Sequence, residues 1–228
     1  MRMLMVFAAS TVCIGLAMPA AAQTPAAAAP AGVPEVKLSP SPSGQSAVQV
    51  GGTWQTVDGG PRYTGGKWIV VDYSRPLLRG RRHIFGSGAD YGKVVSDGAP
   101  VWRAGANATT TLTTQVPLGI GGKTVAPGVY NVFVDLQPGN WTLILTNQER
   151  QARYDPNDKV KLYGAYNYDP RFDVARAGMG TVQRDDTVRQ EQPVEQFTIT
   201  FLTVSPKMLL LRMEWESTVA TVPIELVP

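Results

Sequence analysis

Residues 196–227 read QFTITFLTVSPKMLLLRMEWESTVATVPIELV, and their alternation decides the fold class. Phe197, Ile199 and Phe201 alternate with Thr198, Thr200 and Leu202. Successive side chains of a strand point to opposite faces, so an apolar set recurring every second residue marks a half-buried strand. Ser205-Pro206 interrupts the run, because proline offers no N–H to a ladder. The pattern resumes with Leu209, Leu211, Met213 and Trp215, and Ser217-Thr218 leads to a last strand carrying Val222, Ile224 and Leu226.

The same period extends toward the N-terminus. Ile69, Val71 and Tyr73 alternate with Trp68, Val70 and Asp72, and Thr110, Leu112 and Thr114 lie in a β-branched run. Residues 117–136 read strand, turn, strand, with Gly121-Gly122 and Pro127-Gly128 as tight-turn signals. Tyr130, Val132, Val134 and Leu136 share one face, as do Trp141, Leu143 and Leu145 in the next strand. Helical periodicity is confined to short stretches near 85–95 or 172–178. One or two strands are expected around Lys161–Tyr168, then a long exposed loop through Arg184-Asp185-Asp186. Short strands at regular spacing with turn signals between them predict an all-β fold, a single antiparallel β-sandwich or jelly-roll-like domain over residues 46–228.

The first 45 residues have a different character. Arg2 precedes an apolar run over residues 3–18, Pro19 breaks it, and Ala20-Ala21-Ala22 supplies the small residues of a leader cleavage site before Gln23. The run is shorter than the roughly 20 apolar residues a spanning helix needs. The expectation is a signal peptide over residues 1–22, cut after Ala22, and a periplasmic or extracellular protein with no transmembrane anchor. Residues 23–45, with Pro25, Pro30, Pro34, Pro40 and Pro42 among alanines, read as a disordered tether.

Composition narrows the chemistry. Hydrophobic residues are 43% and charged residues 17%, enough apolar content for a core. One histidine excludes a multi-histidine zinc site, and one cysteine, Cys13 inside the leader, excludes an intramolecular disulfide framework. A net charge of +3 gives no warrant for nucleic-acid binding. Neither GxGxxG nor a P-loop is present, and no cofactor is expected.

The most distinctive run is residues 72–116, which reads DYSRPLLRGRRHIFG, then DYGKVV, then VWRAGANATTTL. The elements Tyr73–Pro76, Arg79–Arg81, Ile84–Gly86, Tyr91–Lys93 and Trp102–Thr110 resemble the pattern of the bacterial domain-of-unknown-function family 2911, whose members are mostly secreted or periplasmic. Ala126–Tyr130, Trp141 and Met213–Glu216 extend the resemblance over roughly residues 46–226. Two departures stand out. The family pattern runs Y-G-K-V-W-R without a break, whereas this chain inserts residues 95–100. It also has Ala108 where many members carry a carboxylate after G-A-N. The resemblance implies export and a β fold and brings no established reaction.

Four groups of residues could carry chemistry. Arg75, Arg79, Arg81 and Arg82, beside His83, could grip a carboxylate or phosphate through bidentate bonds, or could tie a loop down on backbone carbonyls. Arg103 and Asn107 in Trp102-Arg103-Ala104-Gly105-Ala106-Asn107, beside Tyr73 and Tyr91, could line a polar pocket with aromatic walls suited to a sugar. The competing reading is an irregular corner satisfying its own backbone. Glu214 and Glu216 share a strand face with Arg212, so a solvated charge ladder is simpler than a glycosidase pair. Asp155-Pro156-Asn157-Asp158 reads as turn chemistry before a calcium loop. No GxSxG accompanies His83, so nucleophilic catalysis lacks a local pattern. The sequence therefore points to an exported module binding a small polar or anionic ligand, with a glycan as one form, through Tyr73, Arg75, Arg79, Arg81, Tyr91, Arg103 and Asn107, and with no metal. An envelope hydrolase, or a partner-binding envelope protein without a pocket, is the alternative.

Overall fold

Ile69, Val71 and Tyr73 are buried between exposed Trp68 and Asp72, as period two demands. The computed structural model describes residues 37–184 and 192–228. The expected leader and its cut after Ala22, the tether as far as residue 36, and Asp185-Asp186 lie outside the described residues. Described strands are β1 (Ser43–Val50), β2 (Thr53–Val57), β3 (Gly60–Thr64), β4 (Lys67–Ser74), β5 (Thr110–Thr114), β6 (Leu118–Ile120) and β7 (Lys123–Val125). They continue with β8 (Gly128–Asp135), β9 (Trp141–Thr146), β10 (Asp173–Gln183), β11 (Val194–Ser205), β12 (Met208–Glu216) and β13 (Thr218–Leu226). β1 begins inside the segment expected as tether, so ordered backbone starts slightly earlier than the composition suggested.

The strands follow one antiparallel path, β1-β4-β5-β8-β9-β10-β13-β12-β11, where a sandwich would divide into two facing sheets. That path nearly closes into a barrel. The β6–β7 hairpin adds to β13, and β2–β3 form a separate two-stranded ribbon. The expected helix near 85–95 is a single turn, α1 (Lys93–Ser96), after a 3-10 turn at Gly88–Asp90. Residues 173–178 belong to β10 rather than to a helix. Around Lys161–Tyr168 there are only isolated bridges, Arg150 to Leu162 and Tyr163 to Tyr166.

Closure depends on the chain just past β4. Phe197 N–H donates to Pro76 O at 2.9 Å, and Leu78 N–H donates to Glu195 O at 2.8 Å. Side chains continue the seam: the Tyr73 hydroxyl accepts from Ile199 N–H at 3.0 Å and faces Ile199 O at 3.4 Å. Arg75 donates through Nε to Phe197 O at 3.3 Å and through Nη2 to Thr198 Oγ1 at 3.1 Å. An edge strand otherwise leaves a row of unmet backbone groups.

The interior is one apolar cluster. Phe197 and Ile199 of β11, Leu209, Leu211, Met213 and Trp215 of β12, and Ala220, Val222 and Ile224 of β13 all point into it. Fully burying one such side chain is worth about 1.5–3 kcal/mol. Phe85 packs against Trp102, Trp141 and Trp215 with ring centroids at 5.6, 4.7 and 6.1 Å, and Trp102 lies 5.0 Å from Phe197. A second, smaller cluster lies on the opposite face of β8 and β9, where Phe133 and Ile144 are covered by Ala99, Val101, Leu162 and Ala165. The chain over 147–172 is thus held against the outside of the sheet, and it is this covering that creates the cleft described next.

Candidate functional site

The corner after α1 is rigid for local reasons. Trp102 exchanges backbone hydrogen bonds with Val134 at 2.9 and 2.8 Å, and its indole N–H donates to Gly105 O at 3.1 Å. Thr110 Oγ1 donates to Ala104 O at 2.9 Å. Gly105 passes so close to β4 that a Cβ there would lie 2.7 Å from Ser74 O. Residues 103–109 are therefore fixed to the barrel, with Asn107 in the left-handed region at φ 58°.

The opposite wall, 147–170, has almost no ladder bonds and is held together by side-chain amides. Gln148 Nε2 donates to Val160 O and Asn167 O, both at 2.7 Å, while its Oε1 accepts from Asp169 N–H. Asn167 donates to Asp158 O and Lys161 O, and Gln151 donates to the same two carbonyls. Asp158 accepts from Val160 N–H and Lys161 N–H at 2.9 Å each, which hold its carboxyl below the ordinary range. Asp155 likewise accepts from Asn157 N–H. The aspartates of Asp155-Pro156-Asn157-Asp158 thus serve the turn.

Between these walls lies a cleft of about 890 Å³. Arg103, Asn107 and Ala108 line one side, Asn131 lines the floor, and Asn147, Glu149, Arg150, Tyr163 and Tyr166 line the other. The inserted segment contributes directly: the Tyr166 hydroxyl donates to Asp97 O at 2.7 Å and meets Asp97 Oδ2 at 3.1 Å. Burial, and then the Asp97 bond, push the Tyr166 phenol upward and keep it a donor. Arg103 packs over Gly164, where a Cβ would come within 3.1 Å of its Nη1, and pairs loosely with Asp97 at 3.6 Å. Its Nε is buried without an acceptor. Asp97 and Glu149 balance Arg103 and Arg150, so the lining carries no net charge. Ala108 sits on this wall and presents a methyl to the cleft.

The expected site residues do not gather in one site, although Arg81 and Arg103 both line a smaller second pocket. Arg103 and Asn107 share the cleft. Tyr73 and Arg75 are at the barrel seam, and the Tyr91 hydroxyl accepts from Trp141 Nε1 at 2.7 Å beside the core. Arg81 donates to Leu78 O and Leu77 O at 2.9 and 2.7 Å, with its guanidinium 5.9 Å from the Trp215 ring. The Arg79 side chain is exposed, and its backbone N–H donates to Glu195 Oε1 at 2.7 Å. The aromatic wall expected from Tyr73 and Tyr91 is supplied instead by Tyr163 and Tyr166. These two were missed because their stretch was read as strand, whereas it is an irregular loop with isolated bridges; their signal was a dense run of tyrosines, Tyr163, Tyr166 and Tyr168.

The two carboxylates of the last hairpin part company. Glu214 pairs with Arg184 at 3.1 Å and Arg212 at 2.8 Å on the outer face. Glu216, at φ 54°, turns inward and accepts from His83 N–H at 2.6 Å and Ile84 N–H at 3.1 Å. It is a buried anchor for the arginine loop. Among the described residues no group of three or more His, Cys, Asp or Glu gathers as a metal centre would require, and no helix is long and apolar enough to cross a membrane.

No curated protein and no solved structure matches the chain. One family pattern does, over residues 58–224, which spans β3 to β13 and includes both the aromatic cluster and the Arg103–Asn107 wall. The chain belongs to the DUF2911 family of proteins of unknown function.

Proposed function

We propose that the protein is an exported binding module whose cleft holds a small neutral polar ligand of the saccharide class. The observation that supports this most is the cleft lining itself. Exposed tyrosines, Tyr163 and Tyr166, line the cleft together with Arg103, Asn107, Asn147 and Arg150. A sugar ring offers an apolar face to an aromatic ring and a belt of hydroxyls to amides and charged groups. The balance of two cations and two carboxylates argues against a multiply charged anion, which would meet like charge in Asp97 and Glu149. The arginine loop, the other candidate for anion capture, is engaged with backbone carbonyls at Arg75 and Arg81. Export rests on the N-terminal sequence, with its apolar run and Ala20-Ala21-Ala22.

A thermal-shift panel of neutral sugars, uronates, phosphates and divalent cations tests this reading. A ligand at 100 times its dissociation constant adds about 2.7 kcal/mol to stability. Stabilisation by a neutral sugar that Asn107→Ala removes supports the proposal. Stabilisation only by phosphates, or none by any sugar, contradicts it.

The presence of two carboxylates on one cleft, Asp97 and Glu149, favours a glycoside hydrolase as the second reading. Both are engaged, Asp97 with Arg103 and Glu149 with Lys161 at 2.6 Å, so neither is the unpaired carboxyl that a general acid needs. Release of reducing ends from an oligosaccharide, lost in Glu149→Gln, would favour the hydrolase over the binding module.

A further inference from the structure

A second pocket, of about 190 Å³, lies on the other side of the Arg103–Asp97 pair, between that pair, Arg81 and Trp215. Two of its lining residues, Trp215 and Arg103, carry a buried donor without an acceptor. Trp215 is 3% exposed, and its indole N–H has no acceptor. Arg103 Nε is buried and equally unmet. Arg81 uses Nε and Nη2 on Leu78 O and Leu77 O, and its guanidinium stands 5.9 Å from the Trp215 ring centroid. An unmet buried donor is costly, so an acceptor is expected where several meet. The formal charge of the walls, two guanidiniums against the single carboxylate of Asp97, is that of a site for one negative charge.

We propose that this pocket binds a carboxylate group, held by Arg103 and Arg81 and capped by the Trp215 indole N–H. A carboxylate brings acceptors only and a single negative charge, and it can take one hydrogen bond from each guanidinium beside those already made. A phosphate dianion would bring a second charge against Asp97. The carboxylate has two sources: a free small organic acid, or the acid group of a uronate whose ring occupies the larger cleft, since Arg103 and Asp97 line both spaces. The site itself stands without the saccharide reading; only the second source depends on it.

Titrating the ¹⁵N-labelled full chain with acetate, and separately with glucuronate and glucose, tests this through the Trp215 Nε1–H resonance. Sodium chloride at matched ionic strength is the control. The expected result is a saturable downfield shift of that resonance with acetate and none with chloride. Losing one charge-assisted partner in Arg81→Gln should weaken binding by about tenfold or more. Arg81 is exposed, and a melting curve confirms that the variant folds; Arg103→Lys provides a second variant with its charge retained and its Nε donor removed. Glucuronate binding much tighter than acetate assigns the uronate source, and equal affinities assign the free acid. Glucose binding without a Trp215 shift leaves the saccharide cleft intact and separates the two proposals. A Trp215 resonance that does not respond to any carboxylate, or responds equally to chloride, overturns the site.

Discussion

The Tyr73 hydroxyl bridges the backbone N–H and C=O of Ile199, 126 residues later, and so stands in for a strand partner at the seam of the barrel. A residue whose motif suggested a ligand site is placed where the sheet would otherwise stay open. Tyr73→Phe keeps the ring, which packs edge-on against Phe197 at 5.8 Å, and removes the bridge. Leaving buried backbone groups unmet costs about 1–3 kcal/mol. Urea unfolding should show that loss at unchanged slope; a midpoint equal to the parent's would mean that the seam closes without the hydroxyl.

Glu216 anchors the arginine loop through two backbone amides, at 2.6 and 3.1 Å. Glu216→Ala should cost more than Tyr73→Phe, because hydrogen bonds to a charged group are worth about 1.5–3 kcal/mol each. Glu149→Ala, whose exposed carboxylate pairs with Lys161, should cost about 1 kcal/mol or less. Chemical denaturation of both variants checks the order, and equal losses would contradict the anchoring role.

Phe85 contacts three tryptophans that come from separate parts of the chain. Phe85→Ala should destabilise by about 3–5 kcal/mol, the range for an aromatic removed from a packed core. Trp54, 71% exposed on the β2–β3 ribbon, should tolerate alanine within about 0.5 kcal/mol. Thermal melts of the two would show whether the shared family motifs chiefly build the core.

Acid should loosen the cleft wall before the barrel. The carboxyl of Asp158 is held below its ordinary value of 3.8 by the amides of Lys161 and Val160, and that of Asp169 by Arg171. A folded-state value below the unfolded one contributes stability that is present above the unfolded value and lost as pH falls through the folded one. Protection of the Val160 and Lys161 amides from hydrogen exchange should therefore fall below about pH 4. Asp158→Asn keeps an acceptor and should flatten that dependence; an unchanged profile would remove Asp158 as the cause.

The strand pattern of the C-terminal half was readable because one face of each strand is buried: Phe197 and Ile199, Leu209, Leu211, Met213 and Trp215, and Val222 and Ile224 all lie inside. The β2–β3 ribbon was not, since Thr53, Trp54, Gln55 and Thr56 are all exposed and no alternation is imposed on them. Sheet closure was not readable either, because it depends on Pro76, Leu78 and Tyr73 meeting β11 across more than a hundred residues. At the cleft, the spacing of Arg103 and Asn107 placed both on one fixed corner. Their aromatic partners came from a loop held by Gln148, Gln151 and Asn167 amides, which leave no periodic trace in a sequence.

Calorimetric titration of a neutral sugar identified by thermal shift, carried out on the parent chain and on Tyr163→Ala, Asn107→Ala and Arg79→Ala, tests the saccharide cleft most directly. Removing a ring or an amide that touches the sugar should weaken binding about tenfold or more in the first two variants, and Arg79→Ala should bind as the parent does. Undiminished binding in Tyr163→Ala together with loss in Arg79→Ala would place the ligand on the arginine loop and refute the cleft.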